Sequence, residues 1–151
     1  MQAARPGSEG RRRLSSVPAA GAEAGAEASR GAPRGAPPER MWHVTLSMAG
    51  DPVPVTQLRR ALETLVNEHP PLMTGRYAAD RAEIRYWEEA AELQDAAALA
   101  LRLWGEYRSR AGLPAWRTVG LEVVDRHTYR QRVEEGRGPN PAVGADPVRP
   151  F

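Results

Sequence analysis

The sequence predicts an α+β sandwich with the element order β-α-β-β-α-β, followed by a short terminal helix. Three observations carry this. Several segments alternate apolar and polar residues with period two, and two others repeat apolar residues every three to four positions. The 14 Gly and 14 Pro crowd toward the two ends, leaving residues 41–136 as the part able to form regular structure.

The first strand is read over Met41–Met48, where Trp42, Val44, Leu46 and Met48 alternate with His43, Thr45 and Ser47. Ala49-Gly50-Asp51-Pro52 ends it. A helix follows, with Thr56 as the expected N-cap. Leu58, Leu62, Leu65 and Val66 form its apolar stripe, and Pro70-Pro71 stops it. Leu72–Ala79 and Ala82–Trp87 read as a hairpin turning at Asp80-Arg81. In the second of these strands Ala82, Ile84 and Tyr86 share one face, and Glu83, Arg85 and Trp87 the other. Leu93–Ala111 is a long helix whose stripe runs Leu93, Ala97, Ala100, Trp104, Tyr107 and Ala111. Gly112 and Pro114 mark its end. Trp116–Val124 is the last strand, with Val119, Leu121 and Val123 facing inward, and Asp125 caps a short helix through Val133.

This order is the signature of a split β-α-β, or ferredoxin-like, sandwich. Two helices cover one face of a four-stranded antiparallel sheet, and the other face stays open. Trp104 should be buried in the sandwich and Trp87 substantially exposed on the open face.

The flanking segments read differently. Residues 1–40 contain 10 Ala, 6 Gly and 5 Pro, with Leu14 and Val17 as the only large aliphatics. Such a segment cannot bury enough apolar area to offset the entropy of ordering. It is expected to be a disordered extension, with Met41 as the native start. Residues 137–151, rich in Pro and Gly, are expected to form a flexible tail without helix or strand. The extension carries 7 Arg and 4 acidic residues, whereas residues 41–151 carry 14 Arg and 15 acidic residues. The sequence pI of about 9.5 therefore reflects the extension. All 21 basic side chains are Arg, a bias shared with the Ala, Gly and Pro content and read as genomic.

Several chemistries are excluded or disfavoured. Without Cys there is no disulfide, thiolate metal site or cysteine nucleophile. His43, His69 and His127 have no metal-ligand spacing, and Glu88, Glu89 and Glu92 read as a solvated acidic turn. No phosphate loop or other cofactor signature occurs. The longest apolar run is far short of the ~20 residues that span a membrane. The topology is that of an RNA-recognition module, but the paired stacking motifs are missing and the core is slightly acidic, which argues against nucleic acid.

Trp42-His43-Val44-Thr45-Leu46, Thr74-Gly75-Arg76-Tyr77, the Ala-rich helix through Trp104, and Val119-Gly120-Leu121-Glu122-Val123-Val124-Asp125 resemble small uncharacterised proteins of actinobacteria, over roughly residues 41–136. The resemblance implies a compact cytoplasmic α+β domain and supplies no catalytic residues.

What remains is the open sheet face. Arg76, Glu83, Arg85 and Glu122 offer charges there and Trp87 a large anchor, which points to contact with a protein partner or a second copy of the chain. The alternative is a dimeric ferredoxin-like small-molecule-binding protein or enzyme with a pocket near His43, lined by Tyr77 and Tyr86; pairing of His43 across the sheet with Glu83 or Glu122 would equip it for general acid–base chemistry. No catalytic residue is assigned.

Overall fold

The computed structural model describes residues 38–69, 72–138 and 146–151. The extension expected at the N-terminus lies, through residue 37, outside the described residues. So do the helix-stopping Pro70-Pro71 and residues 139–145 of the tail.

The elements are β1 (Arg40–Ala49), α1 (Val55–Glu68), β2 (Thr74–Ala78), β3 (Arg81–Ala90), α2 (Leu93–Ala111), β4 (Arg117–Asp125), α3 (Arg126–Glu134) and β5 (Val148–Pro150). The strands form one sheet in the order β4-β1-β3-β2-β5. β1 is antiparallel to β3 and β4, β2 is antiparallel to β3, and β5 is parallel to β2. The protein is therefore α+β, with a mixed five-stranded sheet and three helices among the described residues. No helix among them is long and apolar enough to cross a membrane.

A main core, with a smaller cluster of Trp42, Ala90 and Ala96 beside it, holds the sandwich together. Leu58, Leu62 and Leu65 of α1 and Ala100, Leu103 and Trp104 of α2 pack with Val44, Leu46, Met48, Ile84 and Tyr86 of the sheet. Both helices thus cover the same face. The period-two reading of β1 and β3 explains this directly, because Trp42, Val44, Leu46 and Met48 of β1 and Ala82, Ile84 and Tyr86 of β3 fall on that face. The stripe of α2 holds at Ala100, Trp104 and Ala111, and Leu103, which was expected to widen it, is buried beside them with Ala96; Leu93 and Leu101, also expected on that stripe, are exposed. At the end of α2, Gly112 takes the left-handed conformation (φ 76°) and donates its N–H to the Arg108 carbonyl at 3.0 Å. At the start of α1 the N-cap is Pro54 and not Thr56, which lies inside the first turn. Ala79-Asp80, one residue earlier than expected, makes the hairpin turn between Ala78 and Arg81.

The tail departs most from the sequence reading. Val148 is buried, and its strand docks on β2 through Gly75 N–H to Pro147 O (2.7 Å) and Phe151 N–H to Tyr77 O (3.1 Å). Pro147 and Pro150 are tolerated because an edge strand leaves its outer N–H positions without a sheet partner. Arg59 ties the same segment down through Asp146 at 3.0 Å.

A second departure lies in β4. Ser47 pairs with Gly120 but Met48 pairs with Thr118, so Val119 is an extra residue in the strand. The bulge turns Val119 outward, to 54% exposure, and brings Thr118 to the Met48 side, where its hydroxyl meets the Met48 sulfur at 3.4 Å. Leu121 and Val123, beyond the bulge, still pack on the core. Val119→Ala should change stability by less than about 0.5 kcal/mol, and Leu121→Ala should cost about 1–2 kcal/mol. Equal losses in urea unfolding would contradict the bulge.

Candidate functional site

The face of the sheet away from α1 and α2 is built by the remaining alternate residues. The antiparallel register sets His43 between Trp87 and Val124, and Thr45 between Arg85 and Glu122. Glu83 lies opposite Arg76, and Arg76 lies opposite Arg149 across the parallel β2–β5 pair. Arg76, Glu83, Arg85, Trp87 and Glu122, expected on one surface, are thus brought to one face.

That face is not fully open. Asp125 accepts the Thr128 N–H at 2.7 Å and starts α3, which turns back across the His43 end of the sheet. The Tyr129 ring lies 4.4 Å from His43 and 4.8 Å from Trp87, and the His43 and Trp87 rings are 5.2 Å apart. Trp87 is consequently half-buried, where strand alternation alone placed it well exposed. Arg132 reaches the sheet through Glu122 at 2.9 Å. At the end of α3, Gly136 turns the chain (φ 72°) and Arg137 donates its N–H to the Arg132 carbonyl at 2.8 Å.

Between α3 and the sheet lies a cleft of about 430 Å³. Thr45, Arg85 and His43 form its floor, Arg76 and Arg149 stand on the β2–β5 side, and Glu122, Val124, Tyr129, Arg132, Arg137 and Gly138 complete it. Five guanidinium groups therefore face one cleft that has a single carboxylate in its lining. Three of the five are paired: Arg85 with Glu83 (3.0 Å), Arg132 with Glu122 (2.9 Å) and Arg137 with Glu135 (3.1 Å). Arg76 and Arg149 have no carboxylate partner among the described residues, and Arg76 lies 4.7 Å from the Phe151 ring centre.

His43 is 7% exposed. Burial, reinforced by Arg85 and Arg132 and opposed by Glu122, lowers its pKa to about 4, so the ring is neutral at neutral pH. Its expected pairing with Glu83 or Glu122 as an acid–base couple is replaced by aromatic contacts with Trp87 and Tyr129. The expected pocket of His43 with Tyr77 and Tyr86 does not form either. Tyr77 and Tyr86 are buried on the helix-covered face, and the sheet itself separates them from His43. On that side His69 packs edge-on against Tyr86 at 5.1 Å, and burial pushes the Tyr86 phenol well above its usual range.

Among the described residues no three His, Cys, Asp or Glu side chains converge to hold a metal ion. The cleft's donors are guanidinium N–H groups, which match anions. The sequence reading missed Tyr129, Arg132, Arg137 and Arg149. A Tyr and an Arg three residues apart on a capped helix were a signal for the first two, since such residues share a helix face. Arg149 had none, because its strand is specified by a single buried valine.

The fold and site together define an α+β domain with an arginine-lined cleft under its third helix. Residues 41–140 match the family described as a domain of unknown function (DUF8830), and the chain belongs to that family. The matched span includes every cleft residue except Arg149. Comparison with curated proteins and with solved structures finds no match.

Proposed function

We propose that this is a non-catalytic, cytoplasmic binding domain built on a ferredoxin-like plan extended by β5, and that its ligand is a small, multiply charged anion held in the arginine cleft. The carrying observation is the placement of Arg76 directly opposite Arg149, both lining the cleft and neither paired with a carboxylate among the described residues. Like charges directly opposite on a sheet are unfavourable, and an anion between them reverses the sign of that interaction. The order β4-β1-β3-β2 with two helices on one face supports the ferredoxin-like plan.

Contact with a protein or a second copy through Arg76, Glu83, Arg85, Trp87 and Glu122 uses the same face. Its concave form under α3, and the pairing of Arg85 with Glu83 within the chain, fit a small ligand better than a flat partner surface.

Titration calorimetry with inorganic pyrophosphate tests the reading. Wild-type protein should bind it with an affinity that falls as salt rises. Arg76→Ala/Arg149→Ala should weaken binding by about tenfold or more, since each charge-assisted hydrogen bond carries about 1.5–3 kcal/mol. Arg102→Ala, on the exposed side of α2, should change nothing. Absence of binding by the wild type, or equal binding by the double variant, rejects an anion site in this cleft.

A further inference from the structure

A second concavity adjoins the arginine cleft, and Tyr129 lines both. This groove of about 360 Å³ is walled by Met41, Leu72, Trp87 and Tyr129, with Arg126 and Arg130 of α3 at its rim. We propose that the ligand of this domain has two parts, an anionic head in the arginine cleft and a flat ring laid against Trp87 in the adjoining groove, which is the chemistry of a purine nucleoside diphosphate. The inference rests on the anion-binding reading above and adds the ring to it.

Continuity is the first argument. The shared Tyr129 lies 4.8 Å from Trp87, so a ligand anchored by charge in the cleft needs only to pass this side chain to reach the groove. The two spaces lie within the range of about 300–1,000 Å³ typical of small-molecule sites. The second argument is the chemistry of the walls. Trp87 and Tyr129 offer ring faces and edges, and Arg126 and Arg130 offer planar cations with no ion-pair partner among the described residues. Guanidinium planes and indole rings stack on heterocycles. An alkyl chain would gain apolar burial against Met41, Leu72 and Trp87 but no stacking on the guanidinium planes of Arg126 and Arg130.

The third argument is Leu72. It is 79% exposed and has a positive φ of 61°. A leucine rarely adopts the left-handed region, and strained residues of this kind gather at ligand sites. Here that conformation sets a large apolar side chain at the lip of the groove, where a ring would cover it.

Competing ligands separate the parts. Inorganic pyrophosphate presents the head alone, adenosine the ring alone, ADP both, and decyl diphosphate the head with an alkyl body. ADP should bind about tenfold or more tightly than pyrophosphate, consistent with the worth of one stacked base, and adenosine should bind weakly. Trp87→Ala should remove the ADP advantage while leaving pyrophosphate affinity within about twofold. Trp87 also packs against His43, so Leu72→Asn serves as a second variant. Asparagine tolerates the left-handed backbone, and this change should reduce ADP affinity several-fold with an unaltered circular dichroism spectrum. If pyrophosphate binds and ADP binds no better, or decyl diphosphate binds better than ADP, the ring assignment fails while the anion site stands. If pyrophosphate itself does not bind, the anion reading fails first. An ADP advantage that survives both variants places the ring elsewhere and overturns the groove.

Discussion

Trp104→Ala is expected to lower the unfolding free energy by about 3–5 kcal/mol, the range for deleting a large buried aromatic. Trp104 is 3% exposed and belongs to the core that joins both long helices to the sheet. Its indole N–H donates to the Pro114 carbonyl at 2.8 Å, which fixes the chain leaving α2. Its ring stacks on Trp116, with centres 6.2 Å apart and planes within 7°. Trp116 in turn donates to the Asp51 carbonyl at 2.9 Å and packs so closely on Gly50 that a Cβ there would come within 2.1 Å of the ring. The cavity left by alanine therefore opens between two loops as well as in the core, and partial collapse of Trp116 into it would break the bond to Asp51. Trp104→Phe separates the contributions. It keeps most of the apolar volume and loses the hydrogen bond to Pro114, so it should cost about 1–2 kcal/mol. Denaturant unfolding followed by circular dichroism measures both. A loss below about 1 kcal/mol for the alanine variant would mean that the Trp104–Trp116 stack does not hold the helix to the sheet.

A domain of this size has a total stability of about 5–15 kcal/mol, so one side chain of α2 accounts for much of it. The helix-covered side was the legible side. Alternation from Trp42 to Met48 and from Ala82 to Tyr86, the spacing of Leu58, Leu62 and Leu65, the Gly112 stop and the Asp125 cap are local signals. Each acts within a few residues of where it is written. The opposite face was harder to read because it depends on contacts distant in sequence. Val148 is one buried residue between prolines, and it becomes a strand only because β2 offers an unpaired edge. The outward turn of Val119 follows from a bulge set by pairing with β1, so simple alternation placed it on the wrong face. Trp87 and His43 alternate outward as expected, but their burial is decided by where α3 lands, and no side chain of α3 is itself fully buried. Of the cleft residues, Arg76, Arg85, Glu122 and His43 were legible as members of one face. Their union with Arg132, Arg137 and Arg149 required the return of α3 and the docking of β5.

Stability is expected to fall as pH drops from 6.5 to about 4, with His43 contributing on the order of 3 kcal/mol to the loss. The groups facing this ring determine the sign. Tyr129 and Trp87 enclose it, Arg85 of β3 and Arg132 of α3 oppose a second positive charge, and only Glu122 of β4 favours one. Burial is the largest cause, and it acts on the charged form alone. In the unfolded chain the same imidazole takes up a proton near its ordinary value of 6.5. Between 6.5 and about 4 the unfolded state therefore binds a proton that the folded state refuses, and the equilibrium shifts toward unfolding. Above 6.5 both states are neutral and the full stability is present. Below about 4 both are protonated and His43 adds no further loss. His69, whose pKa is also lowered by burial, acts in the same direction. Glu88, raised by burial and by Glu106, acts in the opposite direction and offsets part of the loss. His43→Gln isolates the imidazole, because glutamine keeps a polar side chain at the position and cannot titrate. Its stability should be lower than wild type at pH 7, from lost aromatic packing, and should change less between pH 6.5 and 4. Paired urea titrations across that interval measure the difference in slope. Parallel pH profiles for the two proteins would show that α3 does not hold His43 neutral, and would remove the cover that closes the cleft at this end of the sheet.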